Sequence, residues 1–156
     1  MAEDTYTLLF SEILTKVNNA KDKPKKIAVL KKYDCDTLRM IIKSSFDPKI
    51  KWLLPQGNVP FIKNESPSGE QHTILRKEAK RLYRFVKGGD DKLPQFKREN
   101  LFIQMLEGLH GDEAELLINA KDKKLHQIYK GLSDAVVKEA FNWDENYLKK
   151  TTAHPM

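Results

Sequence analysis

The sequence predicts an all-α protein, and three observations carry that expectation. Apolar residues recur at three- and four-residue spacing along most of the 156-residue chain. No stretch alternates apolar and polar residues as a half-buried strand would. Glycine and proline, seven of each, fall mostly between the periodic segments, where they end helices rather than interrupt them. Together these give an irregular bundle of about eight short helices in a single domain of ordinary size, spanning 1–148, with a tail at 149–156.

From Thr5 to Asn19, Leu8, Leu9, Ile13 and Val17 share one side of a first helix. Asp22 is placed to cap a second, with Pro24 in its first turn and Ile27, Val29 and Leu30 as its apolar side. Asp36 is the expected cap of a third, whose Leu38, Ile41, Ile42 and Ser45 face one way. Asp47-Pro48 ends that helix and is expected to start a short one carrying Ile50, Trp52, Leu53 and Leu54. The stretch 55–69 holds three prolines and two glycines without helical period, so it reads as a long loop. Loops beyond ~12 residues in compact domains are usually functional or mobile. Val59, Phe61 and Ile62 are apolar enough to pin its middle to the body.

A strong helix is expected from Glu70 to Lys87, stopped by Gly88-Gly89. The next, Gln95 to Leu109, brings Phe96, Leu101, Met105 and Leu109 near one face, with Phe102 and Leu106 beside it. Asp112 should cap 114–120, a short helix should cover 124–131, Ser133 should cap 134–141, and a last turn should follow at 142–148. The dispersed aromatics Trp52, Phe61, Phe85, Phe96, Phe102, Phe141 and Trp143 are expected in the core. No internal repeat of fixed period is present, which argues against a solenoid.

A 40% hydrophobic and 32% charged composition is that of a folded, soluble chain. No apolar run approaches the ~20 residues of a membrane span. The N-terminus, Met1-Ala2-Glu3-Asp4, is acidic and lacks the apolar segment of a secretory signal. Cys35 is the sole cysteine, so no internal disulfide can form, and a reducing cytoplasm is the expected compartment. The net charge of +6 points to acidic partners, either nucleic acid or an acidic protein surface.

The most informative stretch runs from Arg76 to Lys87. On an α-helix, Arg76, Lys77, Lys80, Arg81, Arg84 and Lys87 fall within an arc of roughly 140°. Leu75, Ala79, Leu82 and Val86 lie opposite. Such a cationic ridge suits a phosphate backbone, because each contact releases counterions. A solvated helix face with no partner is the plainer alternative. Two lysine groups, 21–32 and 121–124, would extend the ridge only if the fold brought them beside it.

Catalytic and metal chemistry find little support. Glu107 and His110 are spaced i, i+3 with Asp112 following, but a di-metal bundle needs a second such copy, and there is none. His110 is expected to serve the end of its helix instead. Cys35 has no histidine near it in sequence, and no phosphate loop, dinucleotide fingerprint or paired-cysteine zinc pattern occurs. No cofactor, metal or catalytic residue is assigned, and the chain is expected to be non-enzymatic.

Several segments carry a resemblance: Leu38-Arg39-Met40 through Phe46-Asp47-Pro48, Trp52-Leu53-Leu54-Pro55-Gln56-Gly57, 81–89, and 101–110 with Ala114-Glu115-Leu116-Leu117. Together they resemble a family of small uncharacterised proteins of large T4-type tailed bacteriophages. That resemblance implies action inside an infected bacterium, in genome replication, transcription, takeover of host machinery or the virion. A nucleic-acid or nucleoprotein partner for the 76–87 ridge is the leading expectation. The rival is an interaction module whose 55–69 loop, through Val59, Pro60, Phe61 and Ile62, holds a host or phage protein.

Overall fold

In the computed structural model, residues 8–63 and 73–150 are described. Among them are α1 (Phe10–Asn19), α2 (Lys23–Lys32), α3 (Asp36–Phe46), α4 (Leu75–Glu78), α5 (Gln95–Gly108), α6 (Gly111–Lys121), α7 (Leu125–Ile128) and α8 (Asp134–Phe141). A 3-10 helix, Ala79–Phe85, continues directly from α4. No strand forms among the described residues. Two isolated antiparallel bridges, Trp52 with Val86 and Trp143 with Lys149, are the only β pairing there. The all-α bundle is therefore as the periodicity predicts. The expected residues 5–7 of the first helix, 70–72 of the ridge helix, 64–69 of the loop and 151–156 of the tail lie outside the described residues.

The caps follow local chemistry. Asp22 accepts from the Lys25 N–H at 3.0 Å with Pro24 in the first turn, and Ser133 accepts from the Val136 N–H at 3.2 Å. Glu12 reaches back to the Leu9 N–H at 2.7 Å to start α1. Two sequence expectations are corrected here. Cys35, not Asp36, occupies the cap position of α3. His110 does not serve the end of α5 but caps α6, its Nδ1 accepting from the Asp112 N–H at 3.0 Å.

α6 is the axis of the molecule. It packs on α1, α3, α5 and α7, and its buried residues lie on every side rather than along one stripe. It carries a buried charge at each end, both with the sign the helix dipole favours there. At the N-terminal end, the fully buried Glu113 accepts from the Phe10 N–H at 2.7 Å and from the Leu75 N–H at 2.8 Å. One carboxylate thus satisfies the first residues of α1 and α4, whose N–H groups have no partner within their own helices. At the other end, the Lys121 ammonium bonds the carbonyls of Pro55 and Gly57 and pairs with Asp122 at 2.6 Å. Asp122 in turn accepts from the Gly57 N–H, so this pair clasps the start of the long loop.

The remaining core differs from expectation in two places. The short helix expected around Ile50 to Leu54 is absent; that segment is extended and pairs with Phe85–Lys87, the Leu53 N–H donating to Phe85 at 2.7 Å and the Lys87 N–H to Lys51 at 2.8 Å. The turn expected at 142–148 is a small loop closed by the Trp143–Lys149 bridge. Of the aromatics expected inside, Phe85 and Phe102 are buried and meet edge to face at 5.2 Å. Phe96, by contrast, is 71% exposed. The buried side chain near that end of α5 is Arg98, whose guanidinium takes the Arg84 and Asp90 carbonyls at 2.9 Å each and the Gln95 side chain at 2.5 Å. A charged group enters here because three acceptors wait for it.

Candidate nucleic-acid interface

The basic stretch does not form one α-helical face, because the helix tightens. An α-helix would bury Ala79, Leu82 and Val86; the chain buries Ala79, Leu82 and Phe85, the three-residue repeat of a 3-10 helix. This register delivers Phe85 to Phe102 and frees Val86 to pair with Trp52. Two glycines then turn the chain. Gly88 has φ +92, which suits glycine, and a Cβ on Gly89 would lie 1.9 Å from the Tyr83 carbonyl oxygen.

The tightened register redistributes the six predicted residues. Lys77 and Lys80 are exposed and stand in one column with Tyr83, which is 48% exposed. Arg81 and Arg84 stand in the next column with Glu78, and Arg81 pairs with that carboxylate at 3.1 Å. Arg84 is half-buried with its guanidinium 5.8 Å from the Tyr83 ring centre. Lys87 is exposed beyond the helix end, in the bridge to Lys51. Residues three apart in a 3-10 helix are ~6 Å apart along the axis, on the scale of successive phosphates along a nucleic-acid strand.

Arg76 departs from the expected ridge. It is half-buried, stacked 5.0 Å from the Phe10 ring centre, and its Nη1 approaches Cys35 Sγ at 3.1 Å. It serves the packing of α4 on α1 and α3 rather than the outer surface.

The other basic groups separate. The α2 lysines belong to a helix packed on α1 and α8, whereas the 3-10 helix packs on α3 and α5. Lys23 is paired with Glu139 at 3.6 Å, and Lys26 bonds the Ala20 carbonyl. The 121–124 group splits: Lys121 is buried in its clasp, Lys123 reaches the Asp47 carbonyl at 2.7 Å, and Lys124 is exposed.

In the long loop, Val59 and Phe61 pack against the core, while Pro60 and Ile62 face outward, Ile62 with 79% of its surface exposed. Its backbone is held by Glu107, which accepts from the Ile62 N–H at 2.9 Å. Beneath it lies a cavity of about 120 Å³ between Leu54, Val59 and Pro60 on one side and Phe102 and Ile103 on the other. Glu107 and His110 are thus engaged in the fold, Glu107 with the loop and His110 as a cap. Among the described residues no cluster of three or more His, Cys, Asp or Glu could hold a metal ion. No helix there is long and apolar enough to cross a membrane.

Residues 13–127 match the model of a family of unknown function, DUF6433. No curated protein and no solved structure matches the chain.

Proposed function

The chain belongs to that family of unknown function, and from its surface chemistry we propose a non-enzymatic accessory protein that engages nucleic acid, or a nucleoprotein machine, through residues 77–87. The observation that carries this reading is the pair of columns that runs from α4 onto the 3-10 helix. Lys77, Lys80, Arg81 and Arg84 present cations at one-turn intervals, and among the described residues only Arg81 forms an ion pair, with Glu78. Exposed Tyr83 between them offers a ring on which an unpaired base can stack. Arg76 is omitted from the contact set and lends rigidity instead. As the phage resemblance implies, the reading sets this work in the cytoplasm of an infected bacterium.

Binding of labelled duplex and single-stranded DNA across a salt series tests the reading. Micromolar or tighter affinity that falls steeply with salt is expected. Arg81→Glu with Arg84→Glu should abolish binding while the helical signal and melting temperature stay near wild type; a folded variant that binds unchanged overturns the assignment.

The second reading, an interaction module for a host or phage protein, is supported by outward Pro60 and Ile62 on a loop clasped at Gly57 and tied at Ile62. Under that reading, a stoichiometric protein survives nuclease and high salt in a pull-down, and Ile62→Asp releases it.

A further inference from the structure

The phosphate-facing surface has a neighbour that sequence order conceals. Where the 3-10 helix ends, the bridge sets Lys51 across from Lys87, so the basic columns run on to a second chain segment. Behind that bridge is a cavity of about 210 Å³ lined by Lys51, Lys121, Lys123, Ile50, Trp52 and Gln56. The Lys121 ammonium is already committed to three acceptors. Lys51 is exposed and forms no ion pair among the described residues. Lys123 is half-buried, and its ammonium has one backbone carbonyl as a partner. The Asp47 carboxylate nearby is taken by Lys49, through its N–H at 2.9 Å and its ammonium at 3.6 Å.

Lys123 also occupies a backbone position that rarely holds a lysine. The Lys123 N–H bonds the Ala120 carbonyl at 3.1 Å and the Lys124 N–H the Asn119 carbonyl at 2.8 Å, closing α6 with a left-handed residue at Lys123, φ +61. Glycine is the usual occupant of that position. A lysine there bears backbone strain, and its side chain lines the same cavity as that of Lys51. Burial lowers its proton affinity, the Asp47 carboxylate opposes that, and Lys51 adds a smaller lowering. A bound anion would offset the burial and the repulsion between the two ammonium groups, and strained residues of this kind gather at ligand sites.

We propose that the cavity between Lys51 and Lys123 seats one phosphate of the nucleic-acid strand carried by the 77–87 columns, with the Trp52 ring as its apolar wall. This inference rests on the functional reading above and adds a discrete site to it.

The test uses the full chain and a short labelled single-stranded oligodeoxynucleotide. Lys51→Gln and, separately, Lys123→Asn should weaken binding and reduce the slope of log affinity against log salt by roughly 0.7, the share of one phosphate on a single strand. Asparagine tolerates the left-handed conformation, and Lys51 is exposed, so both variants should keep the wild-type melting temperature. Binding should also shift tryptophan emission in the wild type, and Trp52→Phe should remove that shift, because Trp143 is buried between Phe141 and Tyr147. If both lysine variants bind with the wild-type slope, the pocket proposal is overturned while the columns remain as the binding surface. If the wild type binds no oligonucleotide at low salt, both are overturned.

Discussion

Glu113 is one side chain on which two distant parts of the chain depend. Its oxygens accept from the Phe10 and Leu75 N–H groups. Leucine fills the space but accepts from neither N–H. Glu113→Leu should therefore cost about 1–3 kcal/mol for each buried donor left without its partner, read as a lower denaturation midpoint. Burial raises the carboxyl above its ordinary value of 4.5, against the two N–H bonds and His110, with Glu12 adding slightly to the rise. The sign follows: the contribution to stability is complete below 4.5 and declines as pH rises through the elevated folded value. The gap between wild type and Glu113→Leu should accordingly be widest in acid and narrow toward neutrality, in denaturation curves taken across that range. A gap that widens with pH would reverse the assignment.

At the scale of elements, the 3-10 helix is held between two constraints, Phe85 against Phe102 on one side and Gly89 against the Tyr83 carbonyl on the other. Gly89→Ala should cost on the order of 1–3 kcal/mol, as overpacking does, and loosen the columns. Circular dichroism with thermal melting reads the first effect and oligonucleotide affinity the second. Gly88 and Gly89 were legible as a stop, and Asp22 and Ser133 as caps, because those signals are local. The tightening was not legible. Leu82 fits both the α and the 3-10 repeat, and only the place of Phe85 in the core decides between Phe85 and Val86. Ile50–Leu54 failed for the same reason: its apolar residues suit a short helix, and the bridge partner that extends them lies more than thirty residues away. The Lys51–Lys123 pocket left no trace in sequence, since its two cations come from segments seventy-two positions apart.

For the whole molecule, the all-α class was readable because helical periodicity survives in nearly every segment. The identity of the central helix was readable only in part. The apolar run Ala114-Glu115-Leu116-Leu117-Ile118 signals burial, but the charged residues within α6 suggest a surface helix until their partners are seen. With α6 enclosed by α1, α3, α5 and α7, its amides should exchange with solvent most slowly in native-state hydrogen exchange, while those of 142–150 exchange early. Comparable exchange in both would mean the bundle opens as separate parts.

The place of α6 in the chain has a consequence for synthesis. The Glu113 carboxylate that completes α1 lies 103 residues after Phe10, and it completes α4 from 38 residues after Leu75. As the chain leaves the ribosome, α1 to α5 emerge before the helix around which they pack. They can gather apolar surface but cannot settle, so lasting structure should appear only once α6 has been made. Stalled nascent chains ending before Gly111 should be cut readily by protease, and chains extended far enough past Lys121 for α6 to clear the ribosome should resist.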